Sequence, residues 1–246
     1  MAMKIGVYGL GRFGAFWAKC FADHNMEVYG YSRSQKAEIE GVKQVSEEEV
    51  LNCDYIFFCV TISAFSAVLD SVKDKIKKGA VVCDTCSVKT YPQTWMNEKL
   101  SGVTIIPTHP MFGPDSGKNG IKDLPIVLCP KDKDDEKYIF LKNMFKEWGL
   151  HISEMSAREH DKQAAYSQGV THFVGRMLER MDMKPTAIAT QGYKSLMNIV
   201  EQTCNDPLQL FYDLQRFNPY AKEMRLSLQV ATEKVLNALA EQEDEN

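Results

Sequence analysis

The 246-residue sequence has no run of eighteen apolar residues, so no segment is long enough to cross a bilayer as a helix. It has no excess of basic charge. Lysine and arginine total 29 against 33 acidic residues, a formal charge of −4. A surface that binds nucleic acid or anionic membrane leans the other way, which leaves only a local basic pocket for a small anion. Internal repeats and low-complexity segments are absent. With 44% hydrophobic and 25% charged residues, the composition excludes collagen-like, mucin-like and disordered chains. A disulfide framework is missing too. Cys20, Cys53, Cys59, Cys83, Cys86, Cys129 and Cys204 are odd in number and mostly sit in apolar runs, as expected of reduced thiols in a cytoplasmic protein. Cys83 and Cys86 form a C-x-x-C without a second ligand pair at comparable spacing, so no metal is expected. Met1–Gly6 runs at once into an apolar pattern, leaving no room for a signal or transit peptide. The acidic run Glu241–Glu245 reads as a solvated helix end.

The first half alternates between strand and helix patterns. Lys4–Tyr8, Glu27–Tyr31, Tyr55–Val60, Ala80–Cys83, Val103–Pro107 and Ile126–Leu128 read as strands, with a last one near His151. Tyr55–Val60 is almost continuously apolar, as in a strand buried on both faces. Helical patterns cover Arg12–Asp23, Gln35–Glu40, Glu47–Asn52, Phe65–Ile76 and Asp134–Trp148. In the first of these Phe13, Phe16, Trp17, Cys20 and Phe21 share one face. Such alternation predicts a Rossmann-type, doubly wound parallel sheet in an α/β domain over residues 1–155. After Glu154 no strand-like run appears. Ser156-Ala-Arg-Glu159 is a capping-box signature. Helices are expected over roughly 156–181, 186–204, 207–217 and 220–242, broken at Pro185, Pro207 and Pro219. Residues 156–246 thus read as an all-α domain. Met224, Leu228, Ala231, Val235 and Leu239 form an apolar stripe on its last helix.

Gly9-Leu10-Gly11-Arg12-Phe13-Gly14 lies between the first strand and first helix. In that setting G-x-G-x-x-G is a dinucleotide fingerprint. The first glycine permits the tight turn, the second lets backbone approach a pyrophosphate, and the third lets helix and strand pack closely. An NAD site places an acid at the end of the second strand to hold the ribose 2′-hydroxyl. Here that position reads Tyr31-Ser32-Arg33-Ser34, with no acid. Arg33 suits a 2′-phosphate through a bidentate fork, Ser32 and Ser34 add hydrogen bonds, and Arg12 is placed to assist. The expected cofactor is NADP, with Cys59 and Thr61, at the end of the third strand, completing its contacts.

Two segments fall on the sheet edge where ligands bind. One is Asp84-Thr-Cys-Ser87-Val-Lys89. The other is Thr108-His109-Pro-Met-Phe-Gly-Pro114-Asp-Ser-Gly117-Lys118-Asn-Gly120. His109 after a buried strand is placed to act as a base near a nicotinamide, and Ser87 to bind the same substrate atom or orient the imidazole.

These segments resemble the prephenate/arogenate dehydrogenases of tyrosine biosynthesis, and most closely the plant-type arogenate dehydrogenases. The likeness continues through Glu159-His-Asp-Lys162, Ser167-Gln168, Thr171-His172, Val174-Gly-Arg176, Gly192-Tyr193, Leu196 to Thr203 and Phe211-Tyr212. It implies NADP-dependent oxidative decarboxylation of a cyclohexadienyl ring. Hydride leaves C4 while its hydroxyl loses a proton to His109, with Ser87 as partner. The ring carboxylate departs as carbon dioxide, and aromatisation drives the step. Gln168 and His172, four apart on one helix face, are then substrate contacts. His160 and Asp161 match the family and serve the helix start and domain packing. Prephenate-type members carry an arginine in the helical region. Leu196–Ile199 has none, which leaves Lys118, Lys194 or a second subunit's Arg225 for the side-chain carboxylate. An acidic residue in the Asn205-Asp206-Pro207 turn goes with arogenate, so Asp206 points to that substrate; it also suits capping the next helix.

The resemblance implies a homodimer through the helical domain. No mutase or regulatory domain is expected beyond it, so tyrosine feedback would act at the active site. Three alternatives remain. A prephenate dehydrogenase would yield 4-hydroxyphenylpyruvate. A hydroxyacid dehydrogenase or imine reductase is a second, but the lysine usual in the former is absent from Gly169–Arg176. A non-catalytic NADP-binding redox sensor has no need of Ser87, His109 and Gln168 together.

Overall fold

A computed structural model describes residues 3–244. The chain divides into two compact units, Met1–His160 and Asp161–Asn246. No helix among the described residues is long and apolar enough to cross a membrane.

The first unit is built on a parallel sheet. Its strands are β1 (Lys4–Tyr8), β2 (Glu27–Tyr31), β3 (Val42–Gln44), β4 (Tyr55–Phe58), β5 (Val81–Asp84) and β6 (Thr104–Ile105). They lie in the order β3-β2-β1-β4-β5-β6, all parallel. Val7 pairs with Gly30 on one side and Phe57 on the other. The order reverses at β1, so the loop after β1 opens at the switch point where such sheets bind ligands. All four residues of β4 are buried, which explains its unbroken apolar run. The intervening helices are α1 (Arg12–Asp23), α2 (Glu47–Leu51), α3 (Ile62–Val72), α4 (Thr90–Lys99) and α5 (Glu136–Glu147). Trp17 and Phe21 of α1 are fully buried against Phe57 and Phe145, anchoring α1 behind the glycine turn.

Several expectations change. Gln35–Glu40 is not a helix. Six residues with only Ala37 and Ile39 apolar are too few to nucleate one. Gln44 instead pins the loop by donating to the Ala37 carbonyl at 2.8 Å, and β3 follows. The strand expected over Val103–Pro107 is cut to β6, because Pro107 has no N–H for the ladder. The chain then enters a second sheet of β7 (Thr108–Pro110), β8 (Pro125–Leu128) and β9 (His151–Glu154), with β7 antiparallel to β8. His109 therefore sits within a strand, opposite Val127, rather than just after one. Helix α4, absent from the sequence reading, starts behind Lys89 and tolerates Pro92 in its first turn.

The remaining helices are α6 (Ala157–Ala164), α7 (Val170–Arg180), α8 (Gln191–Cys204), α9 (Leu208–Phe217) and α10 (Ala221–Asp244). The Glu159 amide donates to Ser156 Oγ at 3.1 Å as α6 begins. A π turn, Ala165–Gly169, joins α6 to α7. Helix α8 starts later than expected, at Thr190, whose hydroxyl accepts from the Tyr193 amide at 3.2 Å. Glu241 and Gln242 are exposed near the end of α10; the last residue of the acidic run, Glu245, lies outside the described residues.

Candidate active site

The glycine turn has the shape its spacing requires. Gly9 has φ of +106°, and a Cβ there would lie 2.5 Å from the Cys59 carbonyl oxygen. A Cβ on Gly14 would fall 1.8 Å from Gly9 O, so α1 packs on β1 at backbone distance. Gly11, by contrast, has nothing within 4 Å of its missing Cβ. It is the N-cap of α1 and supplies no side-chain cap, leaving first-turn N–H groups available to an anion. The residues fit a dinucleotide pyrophosphate.

Around the turn, Leu10 is buried over Gly30, and Phe13 stacks on Trp17. Ser32 is half-buried, and Arg33 and Ser34 are exposed at the end of β2. Tyr8 and Tyr31 meet beside them as tilted rings, centroids 4.9 Å apart. Arg12, expected to assist Arg33, is engaged by the loop after β7, where its Nη2 donates to Asp115 Oδ2 at 2.6 Å. Cys59 is half-buried, with burial pushing its thiol up to about 12. Thr61 is exposed at the N-cap of α3.

A buried network joins the loop after β5 to β7. Asp84 and Lys89 are fully buried and form an ion pair. Asp84 Oδ2 also accepts the Cys86 amide at 3.0 Å. Lys89 Nζ donates to the Thr108 carbonyl at 2.5 Å, and Thr108 Oγ1 donates to the Asp84 carbonyl at 2.6 Å. Ser87, buried between Asp84 and Lys89 in sequence, is thereby fixed on a loop tied to the strand of His109. His109 is 2% exposed. Its Nδ1 lies 2.8 Å from His160 Nε2, so one imidazole donates and the other accepts. Burial, then His160, then the Lys89 cation hold the His109 pKa well below the ordinary histidine value. His109 is therefore neutral at pH 7. Burial raises the Cys83 and Cys86 thiols well above their usual range, so neither is a nucleophile. Lys118 is exposed in the loop after β7. That loop packs on α1, where a Cβ on Gly117 would strike the Phe16 ring at 2.4 Å.

In the second unit, Gln168 lies in the π turn and His172 two residues into α7. Such turns mark functional positions often enough to matter. Gln168 Oε1, His172 Nδ1 and Arg176 Nε are buried without a hydrogen-bond partner among the described residues. Burial and then Arg176 lower the His172 pKa to about 4. Asp206 is half-buried, and its carbonyl accepts Arg176 Nη2 at 2.8 Å. The N-cap of α9 is Pro207, not Asp206. Lys194 is exposed, and Arg225 donates to the Gln215 carbonyl and side chain. His160, Lys89 and Arg176 carried no site role in the sequence reading. The only signal for them was their place in the family-like motifs.

Sheet order and glycine turn together define a Rossmann-type nucleotide-binding unit followed by a helical one. Comparison with known proteins sharpens this. A model described as "Prephenate dehydrogenase, nucleotide-binding domain" matches residues 19–154, and one described as "TYRAAT1-like, C-terminal domain" matches 177–246. Arogenate dehydrogenase 1, chloroplastic, of Arabidopsis thaliana is 35% identical over 96% of this chain. Arogenate dehydrogenase 2, chloroplastic, of the same plant is 33% identical over 97%. The chain spans 39% of the length of the first and 70% of the second. Among solved structures, Synechocystis arogenate dehydrogenase superposes with a TM-score of 0.71 at 21% identity, covering 98% of this chain and 93% of its own. A prephenate dehydrogenase from A. aeolicus, in complex with hydroxyphenyl propionate and NAD+, gives 0.71 at 20% identity, covering 98% and 90%. The chain belongs to the prephenate/arogenate dehydrogenase family.

Proposed function

We propose that the chain catalyses NADP-dependent oxidative decarboxylation of arogenate to tyrosine. The observation that carries this reading is His109: enclosed, and held through Nδ1 by His160. For His109 to act as a base, its Nδ1–H donates to His160 Nε2, and Nε2 keeps the lone pair that takes the 4-hydroxyl proton. Ser87 supplies a hydroxyl to the same substrate oxygen. The pinned imidazole loses little freedom when substrate binds. Bound NADP supplies the hydride acceptor. As the ring loses hydride from C4 and carbon dioxide from the opposite carbon, the protein has only to hold the ring and receive one proton. Gln168 and His172 contribute substrate contacts from the helical unit, and Lys118 is a further contact candidate. The division of labour we propose is nucleotide binding by residues 1–155, and substrate binding and dimerisation by 156–246.

NADP rather than NAD is supported by Ser32-Arg33-Ser34 and by the absence of an acid at the end of β2. Arogenate rather than prephenate is supported by Asp206, whose carboxylate pairs with the substrate ammonium. A homodimer through the helical unit is supported by exposed Leu226, Val230, Val235, Leu236 and Leu239 on α10. The seven thiols, all free, suit a reducing compartment such as the cytoplasm.

One assay tests the reading. Arogenate and prephenate are each offered with NADP+ or NAD+, and absorbance is followed at about 340 nm, where reduced nicotinamide absorbs. The expected result is the fastest rate with arogenate and NADP+. Asp206→Asn should shift the ratio toward prephenate, and Arg33→Ala should cut the NADP preference by about tenfold or more. Faster turnover of prephenate by the unaltered protein would favour the prephenate reading. Binding of NADP without turnover of either ring would favour a redox sensor.

A further inference from the structure

Within the helical unit, α7 and α8 meet at backbone distance. A Cβ on Gly175 would lie 2.1 Å from Thr203 Oγ1 and 3.3 Å from the Ile199 carbonyl oxygen. This close approach carries the end of α8 alongside the next residue of α7, Arg176. Its side chain is 12% exposed. Nη2 reaches past the last turn of α8 to the Asp206 carbonyl at 2.8 Å, and Nη1 donates to Glu179 Oε2 at 3.3 Å. Nε is enclosed. Both terminal nitrogens are therefore engaged by protein groups.

The peptide it holds is constrained from the other side as well. Asp206 precedes Pro207, whose φ is −54°. A following proline confines a residue to extended backbone. With its carbonyl fixed by Arg176, Asp206 has little backbone freedom left, and its Cα–Cβ direction is set. We propose that Arg176 is the positioning residue for Asp206: it aims the carboxylate and so sets the preference for an amino-acid over a keto-acid side chain without itself touching substrate. This rests on the reading of Asp206 given above. The neighbouring cation also helps keep His172, one helical turn back, in its neutral form.

The test compares Arg176→Gln, Arg176→Lys, Asp206→Asn and the double variant Arg176→Gln/Asp206→Asn in the full chain. The readouts are kcat and KM for arogenate and prephenate, and amide hydrogen exchange over residues 203–208. Arg176→Gln should lower the arogenate-to-prephenate ratio of kcat/KM about tenfold, the size of one lost charge-assisted hydrogen bond. The loss should lie in the arogenate KM, with kcat within about twofold, as expected when ground-state binding is removed. Exchange over 203–208 should quicken. Arg176→Lys keeps a charge but not the planar fork, so it should show a smaller shift in the same direction, and it carries the test if the glutamine variant does not fold. In the Asp206→Asn background, Arg176→Gln should add little. An unchanged ratio in both Arg176 variants, with Asp206→Asn still shifting it, would overturn the role of Arg176 while leaving that of Asp206 standing. Equal losses for both substrates would reduce Arg176 to a fold contact. If Asp206→Asn leaves the ratio unmoved, the reading of Asp206 fails and the selectivity role of Arg176 falls with it.

Discussion

The two units hold themselves together by different means. The nucleotide-binding unit has a closed apolar core in which Trp17, Phe21, Phe57 and Phe145 are all fully buried. The helical unit buries few large apolar side chains, chiefly Leu178, Leu214 and Met224. It relies on close backbone fits and polar locks: Gly175 against Thr203, Asn218 Nδ2 donating to the Asp161 carbonyl at 2.8 Å, and Arg225 on Gln215. Meanwhile Ile188 is 88% exposed, and Met181, Val235, Leu236 and Leu239 are more than half exposed. A core that closes on itself stabilises one chain. A helical unit of this size with its apolar side outward is the surface on which the proposed dimer would form. The difference also runs with the proposed chemistry: the closed unit holds the residue proposed as base, and the thinner one holds the residues proposed to choose the substrate.

The largest effect that would test this contrast is on catalysis. His109→Asn should lower kcat by about 10²–10⁴-fold, the usual worth of a positioned general base, with NADP affinity retained. Near-normal turnover would remove the base from the rigid unit. Next in size is Lys89→Met, which strands the buried Asp84 carboxylate and should cost about 3–5 kcal/mol in urea unfolding. Replacing Asp84 as well, as Asp84→Asn/Lys89→Met, should restore part of it, since the loss comes mainly from the orphaned charge. A loss below about 1 kcal/mol would show that the network is more open than its burial implies.

Acid should act on both units through their buried histidines. A histidine whose folded pKa is lowered binds fewer protons in the native than in the unfolded chain, so stability falls as pH drops below 6.5. For His172, with a folded value of about 4, that loss develops between pH 6.5 and 4 and reaches about 3 kcal/mol. His109 adds to it in the same direction and places the acid limb of kcat/KM below pH 6.5. His172→Gln should flatten the stability profile above pH 4, and an unchanged profile would contradict the burial of His172. The smallest effect on the chain itself is expected from Leu236→Glu. It should convert a dimer to a monomer in sedimentation velocity while NADP binding stays within about twofold, because the site on the closed unit is independent of that surface. A persistent dimer would move the interface away from α10.

Much of the fold could be read from local pattern. Strands β1, β2, β4 and β5 announced themselves by apolar runs, and the first helix by the spacing of Phe13, Trp17, Cys20 and Phe21; β3, three residues with only Val42 buried, did not. Where reading failed, the pattern was weak or the decision non-local. Gln35–Glu40 has helix-forming residues but no apolar face to bury. Thr108–Pro110 is three residues long, and its antiparallel partner lies beyond the glycine-rich loop. Helix α4 begins in Thr-Tyr-Pro, which reads as a break until burial of Pro92 and Met96 overrides it. For the site, Gly9, Gly11 and Gly14 were legible because a turn's steric demands are local. The lock on His109 was not, since His160 stands 51 residues away.

Local chain chemistry is enough to specify the nucleotide turn, the missing acid after β2, the change from alternating to all-helical pattern near residue 155, and the segments that carry Ser87, His109 and Asp206. These are matters of residue type and short spacing, which sterics and periodicity translate directly. Packing of distant segments sets which nitrogen of His109 is held, buries Lys89 against Asp84 rather than leaving it solvated, puts Gln168 on a π turn, and brings Arg176 onto the Asp206 peptide. Each depends on groups brought together by packing. Their protonation and direction follow from what surrounds them, and spacing along the chain carries no record of that.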